Sequence, residues 1–357
     1  MCPDIEASLT KSQNWLKENT RRFAFKKLEK EIIKSDVCVE CGTCVSNCPD
    51  DVLSGDRSSG RYIPTLVGKC SACGICYAMC PQTSTLNEDL IGPFRTIWKV
   101  QASIDGARKQ NGGAVTALLL HALAKSEIDG AVVTKKDSTK PWFPISQVVD
   151  SESDVITSGG TIYTRAPVVE ELMKGFRDGK KNLAIVGMTC SFNAVTRLME
   201  HPAGVINLDK DADVLKIGLF CMKSYNYNEL VQFFKEKGFA IGDIEKMSIA
   251  KGQFKIQIKD EIHEWPLAEL DHTTTRSCSF CGDLTCKSSD ISCGNIGSDD
   301  DWSTVIIRTK KGEKLFKSAL KQGIFTVEPL DGKAIRIIGN VARSKANRIY
   351  KYVPNKE

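Results

Sequence analysis

The sequence predicts an α/β chain with a small cysteine-rich module at its N-terminal end, and three observations predict it. One cysteine phrase occurs twice between residues 38 and 81, stretches of strand length alternate with helix-period stretches from residue 97 to residue 237, and from residue 244 the texture turns to short alternating strands. The chain has 357 residues. That is room for a module of about 60 residues and one or two α/β domains with cores of their own.

The chain opens on a basic stretch from residue 11 to residue 34. Lys11, Lys17, Arg21, Arg22, Lys26, Lys27, Lys30 and Lys34 are spaced among Trp15, Leu16, Phe23, Phe25, Leu28, Ile32 and Ile33. This reads as one amphipathic helix or two short ones, packed on the chain's own body or docked on a partner protein or membrane complex.

Eight of the fifteen cysteines follow, as Cys38-x2-Cys41-x2-Cys44-x3-Cys48-Pro49 and Cys70-x2-Cys73-x2-Cys76-x3-Cys80-Pro81. Three cysteines at i, i+3 and i+6 wrap one face of a cuboidal cluster, and the fourth thiolate lies too far along and turns to the neighbouring cube. The spacing is that of a bacterial-type ferredoxin with two 4Fe-4S clusters, so crossed ligand sets are expected: Cys38, Cys41, Cys44 and Cys80 for one, Cys70, Cys73, Cys76 and Cys48 for the other. Gly42 and Gly74 leave room for inorganic sulfide, and Pro49 and Pro81 turn the chain after the last ligand. Zinc knuckles or disulfides are the rival, but zinc sites usually separate ligand pairs by longer gaps and include histidine. None of the four histidines lies near these positions.

The α/β part begins with a strand at 97–103, a loop at 109–113 and a helix at 114–125. Strands at 130–134, 183–187 and 215–221 alternate with helices at 167–176, 192–200 and 228–237, which implies a largely parallel sheet. Residues 247–250, 254–258 and 263–265 read as an antiparallel meander, followed by a cysteine-rich segment at 278–293, a strand at 303–308 and helices at 311–321 and 340–351.

Seven cysteines lie outside the doubled phrase. Cys190 and Cys221 end two predicted strands, whose carboxyl ends share one sheet edge where α/β proteins bind ligands. With Cys278 and Cys281 they compose one candidate metal set. Cys278, Cys281, Cys286 and Cys293 compose a second, purely local one, and spacing alone leaves the two even. Cys2 reads as unliganded.

Two glycine turns precede helices. Gln110-Asn111-Gly112-Gly113 stands before the helix at 114, and Gly159-Gly160-Thr161-Ile162-Tyr163-Thr164-Arg165 before the one at 167. Each offers free amides and a positive helix end to a phosphate, with Arg165 as an anion clamp, although such turns are more often only turns. There is no P-loop, no GxGxxG and no hydrolytic triad. His121 falls in an apolar helical run and reads as structural.

The net charge of +5 is modest and, with no basic run interleaved with aromatics, does not suggest a nucleic-acid groove. No apolar stretch approaches the ~20 residues that span a bilayer and no signal-peptide pattern stands at the start, so a cytoplasmic protein is expected, one whose thiolates survive as metal ligands.

Taken in order, Gln110-Asn111-Gly112-Gly113-Ala114-Val115-Thr116, Gly160-Thr161-x-Tyr163, Val186-Gly187-Met188-Thr189-Cys190, Gly218-Leu219-Phe220-Cys221, Arg276-x-Cys278-x2-Cys281-x-Asp283 and Asp290-Ile291-Ser292-x-Gly294 resemble the beta subunits of coenzyme F420-dependent hydrogenases and dehydrogenases. The resemblance covers roughly residues 36–325. With the doubled phrase in front, the chain looks most like the electron-input subunits of archaeal reduced-F420 dehydrogenase complexes.

The resemblance implies an α/β (mixed α+β) flavin-binding domain with an N-terminal bacterial-type two-cluster ferredoxin module. The implied layout is a helical extension at 1–35, the ferredoxin-type domain at 36–92, an FAD- and F420-binding catalytic domain at 93–330 and a C-terminal helix and tail at 331–357. It further implies FAD against Asn111, Gly112, Gly113, Thr116, Gly160, Tyr163, Thr164 and Arg165, and a third 4Fe-4S cluster on Cys190, Cys221, Cys278 and Cys281. Reduced F420 would pass hydride to flavin N5, and the resemblance assigns no particular side chain a catalytic role. Single electrons would then leave through the clusters to an acceptor protein or membrane-bound respiratory complex, placing the chain in the cytoplasm or on the membrane's cytoplasmic face. Arg165, Lys223 and Lys251 are candidate contacts for the anionic tail of F420. The sequence departs from the family pattern at Ile162, where Lys or Arg is frequent, and at Met188-Thr189 before the cysteine. Two other readings stay open: a non-catalytic iron-sulfur wire, and a beta subunit of an F420-reducing formate dehydrogenase or hydrogenase running in the opposite direction.

Overall fold

A computed structural model describes residues 5–20, 24–83, 90–102, 104 and 110–351. Arg21, Arg22 and Phe23 of the basic stretch, Ser103, Lys109 and Cys2 lie outside them. The described residues gather into two compact units. The first takes those up to Gly92 with Ser279–Gly282 and those from Gly339 on, and the second takes Pro93–Cys278 and Asp283–Ile338.

In the first unit the basic stretch folds as a helix, Ile5–Thr20, then a short turn of helix, Phe25–Leu28, widening to a π turn over Glu29–Ile33. Its apolar side faces the chain's own body: Leu16 packs with Ile75 and Ala78, while Phe25, Leu28 and Ile32 pack with Cys44, Cys76 and Tyr77. Between the two cysteine phrases lies a hairpin, β1 (Leu53–Asp56) and β2 (Ile63–Leu66), and each phrase carries one helical turn, Thr43–Ser46 and Ile75–Ala78.

The second unit is built on an eight-stranded sheet. Its strands are β3 (Thr96–Ala102), β4 (Gly130–Lys136), β5 (Pro144–Val149), β6 (Asn182–Gly187) and β7 (Asp213–Leu219), then, beyond a separate meander, β11 (Ile291–Gly294), β12 (Ser303–Ile307) and β13 (Phe325–Pro329). The meander joins β8 (Lys246–Ala250), β9 (Gln253–Ile258) and β10 (Glu261–Pro266) in antiparallel order. The large sheet runs β13-β3-β12-β11-β7-β6-β4-β5.

That order corrects the expectation of a largely parallel sheet. Only β11, β7, β6 and β4 run parallel, while β5, β12, β3 and β13 join antiparallel. The physical reason lies in the connections. The helix Lys310–Lys321 carries the chain from β12 to β13, yet β3 inserts between them, antiparallel to both, and no local pattern announces that insertion.

Alternation along the strands divides the core into two faces. Ala184 enters one apolar cluster with Val100, Leu118, Ile217 and Val305, whereas its neighbours Leu183 and Ile185 enter the other with Val132, Leu172 and Phe192. The helix Ala114–Ala124 is apolar nearly all round, and Ala117, Leu118, Leu119 and Ala122 are buried. The amphipathic helix Tyr227–Glu236 starts where Asn226 accepts hydrogen bonds from the Asn228 and Glu229 N–H groups, and it covers the meander with Leu230, Phe233 and Phe234. No described helix is long and apolar enough to cross a membrane.

Candidate functional site

The two cysteine phrases adopt one conformation. Glu40 and Ala72, each preceding the second cysteine, have φ of +58° and +57°, and Gly42 and Gly74 have φ of +76° and +82°. In that conformation the Glu40 N–H points to Cys38 Sγ at 3.4 Å and the Ala72 N–H to Cys70 Sγ at 3.3 Å.

The thiols come together across the phrases. Cys48 of the first phrase lines one cavity with Cys70, Cys73 and Cys76 of the second, beside Phe25 and Leu53. Cys80 lies within electrostatic reach of Cys41 and Cys38. Burial, with Cys38 and Cys41 adding repulsion, pushes the Cys44 thiol up to about 11. Burial, followed by Cys73, Cys44 and Cys70, pushes Cys76 up to about 12. Cys41 is exposed, and its thiol is lowered by the Thr43 hydroxyl 3.4 Å away. Such a crowd of sulfurs is poorly stable as bare thiolates and fits a multivalent iron core that would neutralise it. Among the described residues no group of three Cys, His, Asp or Glu side chains stands placed to hold a single ion.

In the second unit β6 and β7 run parallel, so their carboxyl ends share an edge. Cys190 is exposed in the first turn of the helix Thr189–Glu200 that follows β6. Beyond β7, the Cys221 N–H bonds to the Leu284 carbonyl, and Cys278 Sγ accepts from the Ser224 N–H at 3.4 Å. Both thiols act on the buried Tyr225 phenol, whose titration burial pushes well above its ordinary range. Cys281 belongs to the segment Ser279–Gly282 of the first unit.

The local cysteine set does not assemble. Cys286 is buried in the cluster with Val132 and Leu172, and Cys293 in the one with Val305 and Ile217, on opposite faces of the sheet. Burial raises both thiols, Cys293 to about 12, as suits inert core cysteines. Cys286→Ala and Cys293→Ala are therefore expected to leave iron per chain unchanged while costing about 1 kcal/mol each in a melting curve. Loss of iron in either variant would contradict the packing.

The glycine turns divide in the same way. A Cβ on Gly112 would stand 2.2 Å from the Val100 carbonyl oxygen and 2.6 Å from the Ser303 nitrogen, so this glycine is required by the sheet beneath it. Gly113, at φ +72°, starts the following helix with no side-chain cap on its amides. Asn111 and Thr116 flank this turn and are only partly exposed. Around Gly160 (φ +106°) nothing lies within 4 Å, leaving open approach to the backbone.

Thr164 Oγ1 and the Tyr225 hydroxyl are buried without a hydrogen-bond partner, and the two residues are paired through a parallel bridge. Orphaned polar atoms of this kind fit a polar ligand. Tyr163 does not share that role, because its ring packs 5.2 Å from Phe254 in the core and its hydroxyl meets the backbone at Ile249. Arg165 points to Ser277 Oγ at 2.9 Å and Cys278 Sγ at 3.8 Å, so its charge serves the thiol. Lys223 is engaged with Asp271, and Lys251 stays exposed at the β8–β9 turn with φ +50°. His121 is buried against Ser318 Oγ at 2.8 Å, the structural role its sequence suggests.

Three further residues carry the strand-end edge, and only Asp283 among them stands in one of the sequence motifs. Asp283 accepts from Thr189 Oγ1 and from the Thr285 and Lys287 N–H groups, tying the cysteine-bearing helix to the 283–287 loop. Arg308 is half-buried, and its loss of hydration lowers it to about 10; it bonds to Ser292 Oγ, the Pro93 carbonyl and Thr285. Tyr225 is the third. Periodicity marks none of them, since each works through a contact distant in sequence.

Comparison with known proteins gives the site its family. Residues 97–173 match the model for the N-terminal part of the coenzyme F420 hydrogenase/dehydrogenase beta subunit, and 180–333 match the model for its C terminus. Residues 30–81 match a 4Fe-4S dicluster domain. A component of the F(420)H(2) dehydrogenase of Methanosarcina mazei is 30% identical over 88% of this chain and 91% of its own. The beta subunit of the coenzyme F420 hydrogenase of Methanothermobacter thermautotrophicus is 33% identical over 68% of this chain and 87% of its own. Among solved structures, a chain of the F420-reducing [NiFe] hydrogenase complex from Methanosarcina barkeri aligns with a TM-score of 0.69 and 28% identity, over 73% of this chain and 92% of that one. The chain therefore belongs to the family of coenzyme F420 hydrogenase/dehydrogenase beta subunits and carries a 4Fe-4S dicluster ferredoxin domain in front of the family's two halves.

Proposed function

We propose that this chain oxidises reduced coenzyme F420 with FAD as its immediate hydride acceptor and hands single electrons through 4Fe-4S clusters to a partner protein or complex. The observation that carries the reading is a doubled cluster phrase, folded with its thiols crossed, in one chain with the F420-family domain. Support for F420 itself comes from the relatives' names.

Cys38, Cys41, Cys44 and Cys80 would hold one cluster, Cys70, Cys73, Cys76 and Cys48 the second, and Cys190, Cys221, Cys278 and Cys281 a third. When bound, a flavin supplies the exchange between a two-electron hydride donor and one-electron carriers. The chain's own residues bind and orient it: Gly160 admits it to the backbone, and Thr164 Oγ1 offers the hydrogen bond it otherwise lacks. The amides before Ala114, at a helix end that no side chain caps, would face an anionic group of the cofactor. Arg165 offsets negative charge at Cys278. Positioning of this kind would be the protein's share of a hydride transfer.

The test is anaerobic mixing of the reconstituted chain with reduced F420 and an artificial one-electron acceptor. Acceptor reduction that depends on both flavin and iron is expected. No reduction, with flavin and clusters present, would sink the enzymatic reading. The rival wire is favoured by Ile162 and Met188-Thr189 and is told apart by purified protein that holds iron and sulfide but no yellow chromophore.

A further inference from the structure

We infer that Arg61 and Glu40 are positioning residues that hold the first cluster-binding loop, and that loop alone, in its ligating conformation. The inference rests on the reading that the two phrases hold clusters. Both loops need an L-residue in the left-handed region, Glu40 in one and Ala72 in the other, at φ of +58° and +57°. That conformation is unfavourable for a non-glycine residue and persists only where its surroundings impose it.

The surroundings differ between the loops. Ala72 is partly buried, and its loop is tied by Ser71 to Asp50. Val39, Glu40 and Cys41 are all exposed, so packing holds the first loop less. In its place the Glu40 carboxylate is gripped from two sides: Arg61 Nε donates to Oε1 at 2.7 Å, and the Tyr62 N–H donates to Oε2 at 2.9 Å. The same guanidinium bonds to Asp36 Oδ1, so one arginine on the hairpin joins the start of the loop to its strained residue. These contacts fix the Glu40 N–H on Cys38 Sγ. Ala72 has no carboxylate to grip, and the second loop cannot depend on this clamp.

The experiment follows loss of iron from the reconstituted full-length chain to a chelator under anaerobic conditions, with reduced-state EPR of the clusters in parallel. In Arg61→Met and Glu40→Gln the iron of one cluster is expected to leave about fivefold faster, the upper end for an exposed ion pair, while the rest leaves at the wild-type rate. Arg61→Lys, which keeps the charge without the planar fork, is expected to fall between them and wild type. The unaffected cluster serves as the internal control for folding. Equal acceleration of all the iron, or no acceleration, would overturn the clamp. A wild-type chain that takes up no iron would overturn the cluster reading and the clamp with it.

Discussion

A chain carrying Cys48→Ser with Cys70→Ser is expected to lose a single cluster, about four iron atoms, whereas Cys48→Ser with Cys38→Ser is expected to lose both ferredoxin clusters. The pairs separate two wirings. If each phrase filled its own cluster, the first pair would remove both clusters and the second only one. Two features support the crossed outcome: Cys48 shares a cavity with Cys70, Cys73 and Cys76, and Cys80 is coupled to Cys38 and Cys41. Iron and acid-labile sulfide per chain, with EPR of the reduced protein, give the count. The stability cost should follow the same count. Cys44 and Cys76 sit in the apolar cluster with Phe25, Leu28, Ile32 and Tyr77, so a lost cluster leaves buried thiols and a void in the core of this unit. Loss of both clusters from the Cys48→Ser, Cys70→Ser chain would refute the crossed assignment.

What was legible in the sequence was local. A cysteine phrase of i, i+3 and i+6 needs only the chain's own geometry to bring its thiols together, and helices such as Ala114–Ala124 and strands such as β6 announce themselves through period and apolar content. The meander at residues 246–266 was readable for the same reason. What was not legible was long-range. The insertion of β3 between β12 and β13 depends on partners some 200 residues apart, for example Lys99 with Asp299. β11 was hidden because Ser292 and Cys293 do not read as strand core, although both are buried. For the same reason spacing alone admits Cys286 and Cys293 as candidate ligands, whereas the fold buries them on two faces of the sheet. Arg165 read as an anion clamp because a sequence shows a charge but not its partner, here Ser277 and Cys278, more than a hundred residues on.

Gly112→Ala should destabilise the second unit through a clash with backbone and Gly160→Ala less, through backbone strain alone, although both glycines stand in turns proposed for the flavin. At Gly112 the new methyl group would meet backbone, the Val100 oxygen at 2.2 Å and the Ser303 nitrogen at 2.6 Å, and neither can rotate away. The Gly112 carbonyl also accepts from the Ala102 N–H at 2.7 Å, so relief of the clash would pull apart the end of β3. A cost of about 3 kcal/mol, at the upper end for overpacking, is expected, which is a fall of about 6–12 °C in Tm for a unit of this size. The fall should be the same in protein stripped of flavin. At Gly160 there is no atom within 4 Å to strike, and only the backbone at φ +106° resists a side chain, at about 1–3 kcal/mol. If the open side of that turn admits the flavin, the methyl group occupies the ligand's place and flavin retention falls while most of the stability remains. Thr164→Val extends the test, since it removes an unpartnered buried hydroxyl at nearly constant volume. That change should leave stripped protein as stable as before, or more so, and weaken flavin binding about tenfold, as for a lost hydrogen bond of about 1.4 kcal/mol. Unchanged flavin affinity in both Gly160→Ala and Thr164→Val would remove the flavin from this turn, and an unchanged Tm in Gly112→Ala would remove the packing account of its neighbour.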